Sequence, residues 1–293
     1  MKKILTSIII SALPLVAGAQ EAMSFLTIPH DSRDIAVART VTTSTSMLDS
    51  DGITISGGHL FWMPNSTLPS RNWSATAGWS NRKLAVGMDF VQGSSPEMTI
   101  TSIDGFGSET YRPSTLDAGL AAAFKPFHWL LFGADIHFAM DRSNPYSDSS
   151  AIYADFAASF RPVRQLTLHS GVMHIGQSIM DISGQEFKLP ASAFVSAEYQ
   201  MQLSEYLSGW MYADGTMYLN GGYAAGVGAS FLVFRHILLR AGYHYATVES
   251  PLPAFWAIGA GITFGGLKIE GYCMPGNGVI GGSSGVALTL NIF

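Results

Sequence analysis

Apolar and polar residues alternate through most of the chain after residue 51, and the alternation comes in units. Two consecutive units between Leu116 and Ile175 share one plan. Gly119–Phe124 leads into Lys125-Pro126-Phe127-His128 and out through Trp129–Phe138. Ala154–Phe160 leads into Arg161-Pro162-Val163-Arg164 and out through Leu166–Gly171. The plan returns at Phe234–Gly242 and at Phe264–Gly271. A repeated strand, tight turn, strand unit predicts a repetitive all-β architecture.

The pattern predicts strands at Gly52–Leu60, Trp73–Ser80, Leu84–Val91, Thr115–Lys125, Trp129–Met140, Ala151–Arg161 and Gln165–Ile175. It continues with Ala191–Gln200, Glu205–Ala213, Gly221–Phe234, Ile237–Ala246, Phe255–Phe264, Leu267–Cys273 and Gly285–Ile292. The connectors alternate. Phe61–Asn72, Gln92–Ser114, Asp141–Ser150, Gly176–Pro190, Thr247–Ala254 and Met274–Ser284 are long, and Asp214–Asn220 is intermediate. Asn81–Lys83, Pro126–His128, Pro162–Arg164, Met201–Ser204, Arg235–His236 and Gly265–Gly266 are short. Long loops on one side, short turns on the other and an even strand count are the layout of an outer-membrane barrel.

Side chains in a strand face alternate sides. Phe132, Ala134, Ile136 and Phe138 therefore share one face, opposite Gly133, Asp135 and His137. Ile152, Phe156 and Phe160 oppose Tyr153, Asp155 and Ser159; Val195 and Tyr199 oppose Glu198; Leu239, Tyr243 and Tyr245 oppose Arg240 and His244. Leu267 and Ile269 oppose Lys268 and Glu270. Apolar-out, polar-in alternation fits a wall between lipid and lumen, with Phe124, Phe160, Phe234 and Phe264 as an aromatic girdle near the short turns.

Composition agrees. Hydrophobic residues make up 47% of the chain and charged ones 13%, at a mean hydropathy of +0.23. A soluble globular chain carries about 25% charged residues. No apolar run reaches the roughly 18 residues of a membrane helix. Lys2 and Lys3, an apolar run from Ile4 to Val16 and Ala17-Gly18-Ala19 read as a signal peptide (residues 1–19) cleaved near Ala19/Gln20. Residues 20–51 are more polar, with a short strand expected at Ser24–Ile28, and are expected to plug the lumen; residues 52–293 form the barrel. The expected fold is thus a transmembrane antiparallel β-barrel of about 14 strands with an N-terminal lumenal plug, in the outer membrane and in contact with its lipid. The net charge of −5 argues against nucleic acid. The lone Cys273 excludes an internal disulfide framework.

Three features together resemble the PorV/PorQ family of outer-membrane proteins, which belong with the FadL-like fourteen-stranded barrels. They are Phe25-Leu-Thr-Ile-Pro29 followed by Asp31–Ala38, the Leu60–Asn65 turn and the run of hairpins to a terminal Phe293. Arg39-Thr40 stands where the family has Gly-Gly, and Met63-Pro64-Asn65 departs from its Asn-Pro-Ala order. The resemblance implies a scaffold or anchor for a protein partner in type IX secretion or cell-surface attachment. The fold class offers the alternative of a FadL-like passive channel for small hydrophobic molecules.

Asp135, His137, Tyr153 and Asp155, with Glu198, Arg240, His244, Lys268 and Glu270, are the candidate lumenal polar cluster. Carboxylates beside histidine can do acid–base work, which would make a third class, an outer-membrane hydrolase. The plainer reading is a hydrogen-bonding network with ion pairs. No catalytic residue is assigned, and no cofactor. The histidines lack ligand spacing, so no metal is assigned either. Asp49–Gly52 lacks most of a calcium loop, and Gly276–Gly281 has the letters of a dinucleotide fingerprint without a following helix. Tyr146, Ile179, Met180, Ile182 and Phe187 are apolar loop residues with two readings, a docking surface for a partner or a loop packed over the barrel mouth.

Overall fold

The computed structural model describes residues 22–30, 32–38, 51–63, 69–101, 108–180, 185–276 and 282–292. The signal peptide lies outside these residues. So do Asp31, Arg39, Thr40, Asp49, Asn65, Ile182, most of Gly276–Gly281, and Phe293.

Fourteen of the described strands close into one antiparallel barrel. They are β1(Gly52–Trp62), β2(Ser70–Ser80), β3(Leu84–Ser94), β6(Ser114–Phe127), β7(Leu130–Asn144), β8(Ser147–Val163) and β9(Leu166–Gly176), then β12(Ser192–Ser204), β13(Leu207–Tyr218), β14(Tyr223–Val233), β15(Ile237–Ala246), β16(Phe255–Phe264), β17(Leu267–Met274) and β18(Ser283–Ile292). Each predicted strand corresponds to one of them. The seam is β1 on β18, in register from Ile53↔Ile292 to Phe61↔Ser284. Two long loops carry small two-stranded ribbons of their own, β4(Met98–Thr101) with β5(Ser108–Tyr111), and β10(Ile179–Met180) with β11(Glu186–Phe187).

The outward face is apolar. Phe132, Ile136, Phe156, Val195, Leu239 and Ile269 are all exposed, while their neighbours one position along turn inward. Closure satisfies the ladder groups of every strand, which a lipid-embedded sheet requires. At the short-turn end, Phe127 stacks on Trp129 at 5.2 Å and Trp129 meets Phe160 edge-on at 5.8 Å. Tyr206–Phe234 and His236–Phe264 continue this aromatic rim.

Four local expectations are corrected. Asp141–Ser150 is a continued hairpin, with β7 and β8 reaching a turn at Pro145-Tyr146; backbone pairing there overrides the polar composition. Pro126 and Pro162 lie inside β6 and β8, at register shifts between Phe124 and Phe127 and between Phe160 and Val163. A bulge is where a strand tolerates a residue without an N–H. Phe234 sits in the three-residue turn between Val233 and Ile237, where Phe234 and Arg235 both take positive φ, 52° and 62°. Finally, Ser24–Thr27 is a 3-10 helix, closed by the Thr27 hydroxyl donating to the Ser24 carbonyl at 2.8 Å.

Candidate functional site

The barrel register brings together side chains that are far apart in sequence. Asp89 on β3 lies opposite Gly119 on β6, Gly119 opposite His137 on β7, and His137 opposite Tyr153 on β8. Asp117 is two residues from Gly119 on the same face, and Asp135 pairs with Asp155. All point inward by the period of two. Tyr153 donates its hydroxyl to Asp117 Oδ2 at 2.9 Å. Its ring lies parallel to His137, with centroids 4.7 Å apart. His137 Nδ1 is 3.3 Å from Asp117 Oδ2 and 3.8 Å from Asp89 Oδ2.

The row ends at a bulge. The β8–β9 register shifts between Ala154 and Phe156, and His174 takes φ 56°. That conformation aims the His174 N–H at Asp155 Oδ1, 2.6 Å away. The His174 ring is buried, edge-on to Tyr153 at 5.2 Å, with Nδ1 3.2 Å from the Pro190 carbonyl.

Sequence reasoning brought out Asp135, His137, Tyr153 and Asp155, and the structure gathers these four. It missed Asp89, Asp117 and His174. Asp117 carried a signal: a charged residue inside a predicted strand whose other face meets lipid has to point inward. His174 carried none, because it depends on the bulge.

The remaining predicted residues stand elsewhere. Arg240 Nη1 donates to Glu270, whose other oxygen takes Lys268 Nζ at 2.8 Å; Arg240 Nε reaches Ser230 at 3.2 Å. These ion pairs lie within the wall, between β15 and β17. His244 is fully buried and stacks on Phe255 at 5.0 Å. Glu198 is on β12, opposite Thr167 on β9 and Tyr212 on β13.

The N-terminal segment lines the same inward face. Met23 and Leu26 pack on Ala139, Ala151, Tyr153 and Leu189. The Ala22 N–H donates to the Lys188 carbonyl at 2.9 Å. Burial lowers the His30 pKa from 6.5 to about 4, against the pull of Asp117. Helix α1(Ser32–Ala36) and the two residues after it press on β14 to β17. Ile35, Ala36, Val37 and Ala38 are buried there. Gly226, Gly228, Gly242 and Gly259 make the room. A Cβ added at Gly228 or Gly242 would come within 2.8 Å of Val37 Cβ or Ala38 N respectively.

Comparison with known proteins gives the fold a context. The family model that matches is Uncharacterised protein family (UPF0164), over residues 86–213, rather than the PorV/PorQ family that the motifs resemble. No curated protein sequence matches the chain. The toluene transporter TodX of P. putida superposes with a TM-score of 0.61 at 11% identity, over 94% of this chain and 99% of its own. The deltaS2S3 mutant of TodX, described as a monoaromatic hydrocarbon channel, gives 0.59 at 10% identity, over 90% and 99%. The outer membrane protein Omp33 of Acinetobacter baumannii gives 0.52 at 10% identity, over 83% and 98%. The chain is a closed fourteen-stranded antiparallel barrel with the fold of these outer-membrane proteins.

Proposed function

We propose that this chain, after removal of residues 1–19, is an outer-membrane channel for small hydrophobic molecules that its N-terminal segment plugs at rest. One observation carries this reading: residues 22–30 and 34–38 sit on the inward wall against apolar side chains and a bed of glycines. A segment held by packing, with no covalent tie other than its own chain, is a removable stopper. The apolar lining it packs on, including Phe255, Tyr272 and Met274, suits an apolar solute. The shared fold with a toluene transporter agrees with this.

The test is uptake of radiolabelled toluene by Gram-negative cells expressing the chain. Expression raises uptake, and deletion of residues 22–38 raises it further and admits polar solutes. Uptake no faster than with an empty vector overturns the channel reading.

A second reading, an anchor for a secretion or surface-attachment protein, draws on Tyr146, Met180 and Val248 at the long-loop end, exposed by 74%, 70% and 98%. Cross-linking in cells followed by mild purification tests it. A stoichiometric partner lost on trimming the β7–β8 tip supports it, and a partnerless barrel rejects it.

A further inference from the structure

We propose that Asp89, Asp117 and His137 form a binding site for one divalent transition cation, of the Zn2+ or Mn2+ class, on the inward face of the wall. Two carboxylates and one imidazole are a donor set for these ions, and three protein ligands leave a position for water. The three ligand atoms lie within 4.8 Å of one another. Tetrahedral zinc with bonds of about 2.0–2.1 Å holds neighbouring ligand atoms roughly 3.3–3.4 Å apart. The separations from His137 Nδ1, 3.3 Å to Asp117 and 3.8 Å to Asp89, are already close to that.

A second observation points to a missing partner. Asp117 is only 5% exposed, and its Oδ1 is enclosed without a hydrogen bond. Enclosed His137 Nδ1 likewise has two carboxylates nearby but no hydrogen bond of good geometry. Buried polar atoms left this way are costly, and a shared cation satisfies both. Charge agrees. Among the described residues, no lysine or arginine pairs with Asp89, Asp117 or Asp155.

The surroundings hold the ligands in place. Gly119 separates Asp89 from His137 in the register row, and a Cβ there would lie 2.5 Å from Asp89 Oδ1 and 2.6 Å from His137 Nδ1. Its missing side chain is what lets the two ligands converge across β6. Tyr153 stacks on the ring of one ligand and donates to the carboxylate of another, the kind of outer contact that orients metal ligands. The alternative set Asp135, His137 and Asp155 is equally compact. It ranks second because Asp155 Oδ1 already accepts the His174 N–H, whereas Asp117 keeps an enclosed oxygen, Oδ1, without a hydrogen bond.

The experiment is calorimetric titration of Zn2+ alone into the chelator-stripped full chain in detergent. One Zn2+ per chain is expected, with affinity reduced at least tenfold by Asp117→Asn, Asp89→Asn or Gly119→Ala, and little changed by Asp155→Asn. Heat-modifiability on gels confirms that each variant remains a folded barrel. No binding, or binding unchanged in the three variants (surface adsorption only), overturns the proposal. A larger loss from Asp155→Asn than from Asp89→Asn also overturns it, by moving the site to the other triad. Zinc binding is read without any solute uptake, so this result and the channel test stand or fall separately.

Discussion

Replacing Gly228 and Gly242 together by alanine should expel the N-terminal segment while leaving the barrel intact. Each new Cβ collides with the backbone around Val37, and backbone cannot swing aside as a long side chain can. To relieve both contacts, the segment must lift off β14 and β15. That uncovers Ile35 and Val37, now 0% and 1% exposed. At about 1.5–3 kcal/mol per buried side chain, their joint loss is about 3–6 kcal/mol. That is about a hundred- to ten-thousand-fold in the ratio of docked to undocked segment. The effect on the barrel has the opposite sign, since alanine in a strand is favoured over glycine by about 0.5–1 kcal/mol. Trypsin treatment of outer-membrane preparations reads the first effect through cleavage at Arg33 and Arg39, and heat-modifiability reads the second. Rapid N-terminal cleavage in a fully folded barrel is the expected result. An N-terminus as resistant as that of the parent chain would refute the reasoning.

Three further outcomes are expected. His30 titrates at about 4 in place and at 6.5 when exposed, through burial; its folded pKa is the lower one, so its contribution to docking is complete above pH 6.5 and is lost as pH falls toward 4. Tryptic release of the N-terminus should rise over that window, and His30→Gln should flatten the profile. Glu270→Ala removes the carboxylate from a buried Arg240, and breaking such a pair costs about 3–5 kcal/mol; a lower unfolding temperature on heated gels checks this, with Lys268→Met milder because Lys268 is more exposed. Asp148→Ala at the β7–β8 tip breaks an ion pair whose side chains are 52% and 59% exposed, and a change of no more than about 1 kcal/mol is expected on the same gels.

The barrel was legible in the sequence because lipid outside and lumen inside enforce strict alternation. Phe132–Asp135–His137 shows the rule at its plainest, and the alternation of long and short connectors set the strand count. The ends of the strands were less legible. Pairing carried β7 and β8 through polar Asp141–Asn144 and Ser147–Ser150, where composition suggested a loop. The polar site was half visible. Period two picked out Asp135, His137, Tyr153 and Asp155 within one hairpin, but which strands lie beside that hairpin, and at what height, is set by register. Asp89 joins His137 only across β6. Glycine was ambiguous for a similar reason: inward Gly228 and Gly242 leave space, and only the fold shows residues 37 and 38 filling it.

The seam carries a consequence for how the barrel forms. Thr54 donates to Asn291 at 2.9 Å across 237 positions of chain. Joining ends so distant is slow and entropically costly, because local contacts give no help. Helix α1 presses on β15 to β18, the strands beside the seam, and from Ala36 only sixteen positions lead to Gly52, where β1 begins. Once the helix is seated, β1 is tethered near β18. Shortening the effective loop from 237 to about 16 residues lowers the closure cost by about 2.4 kcal/mol. The same short segment would then act as a clasp, guiding the two ends of the wall together, before taking up the stopper role proposed above.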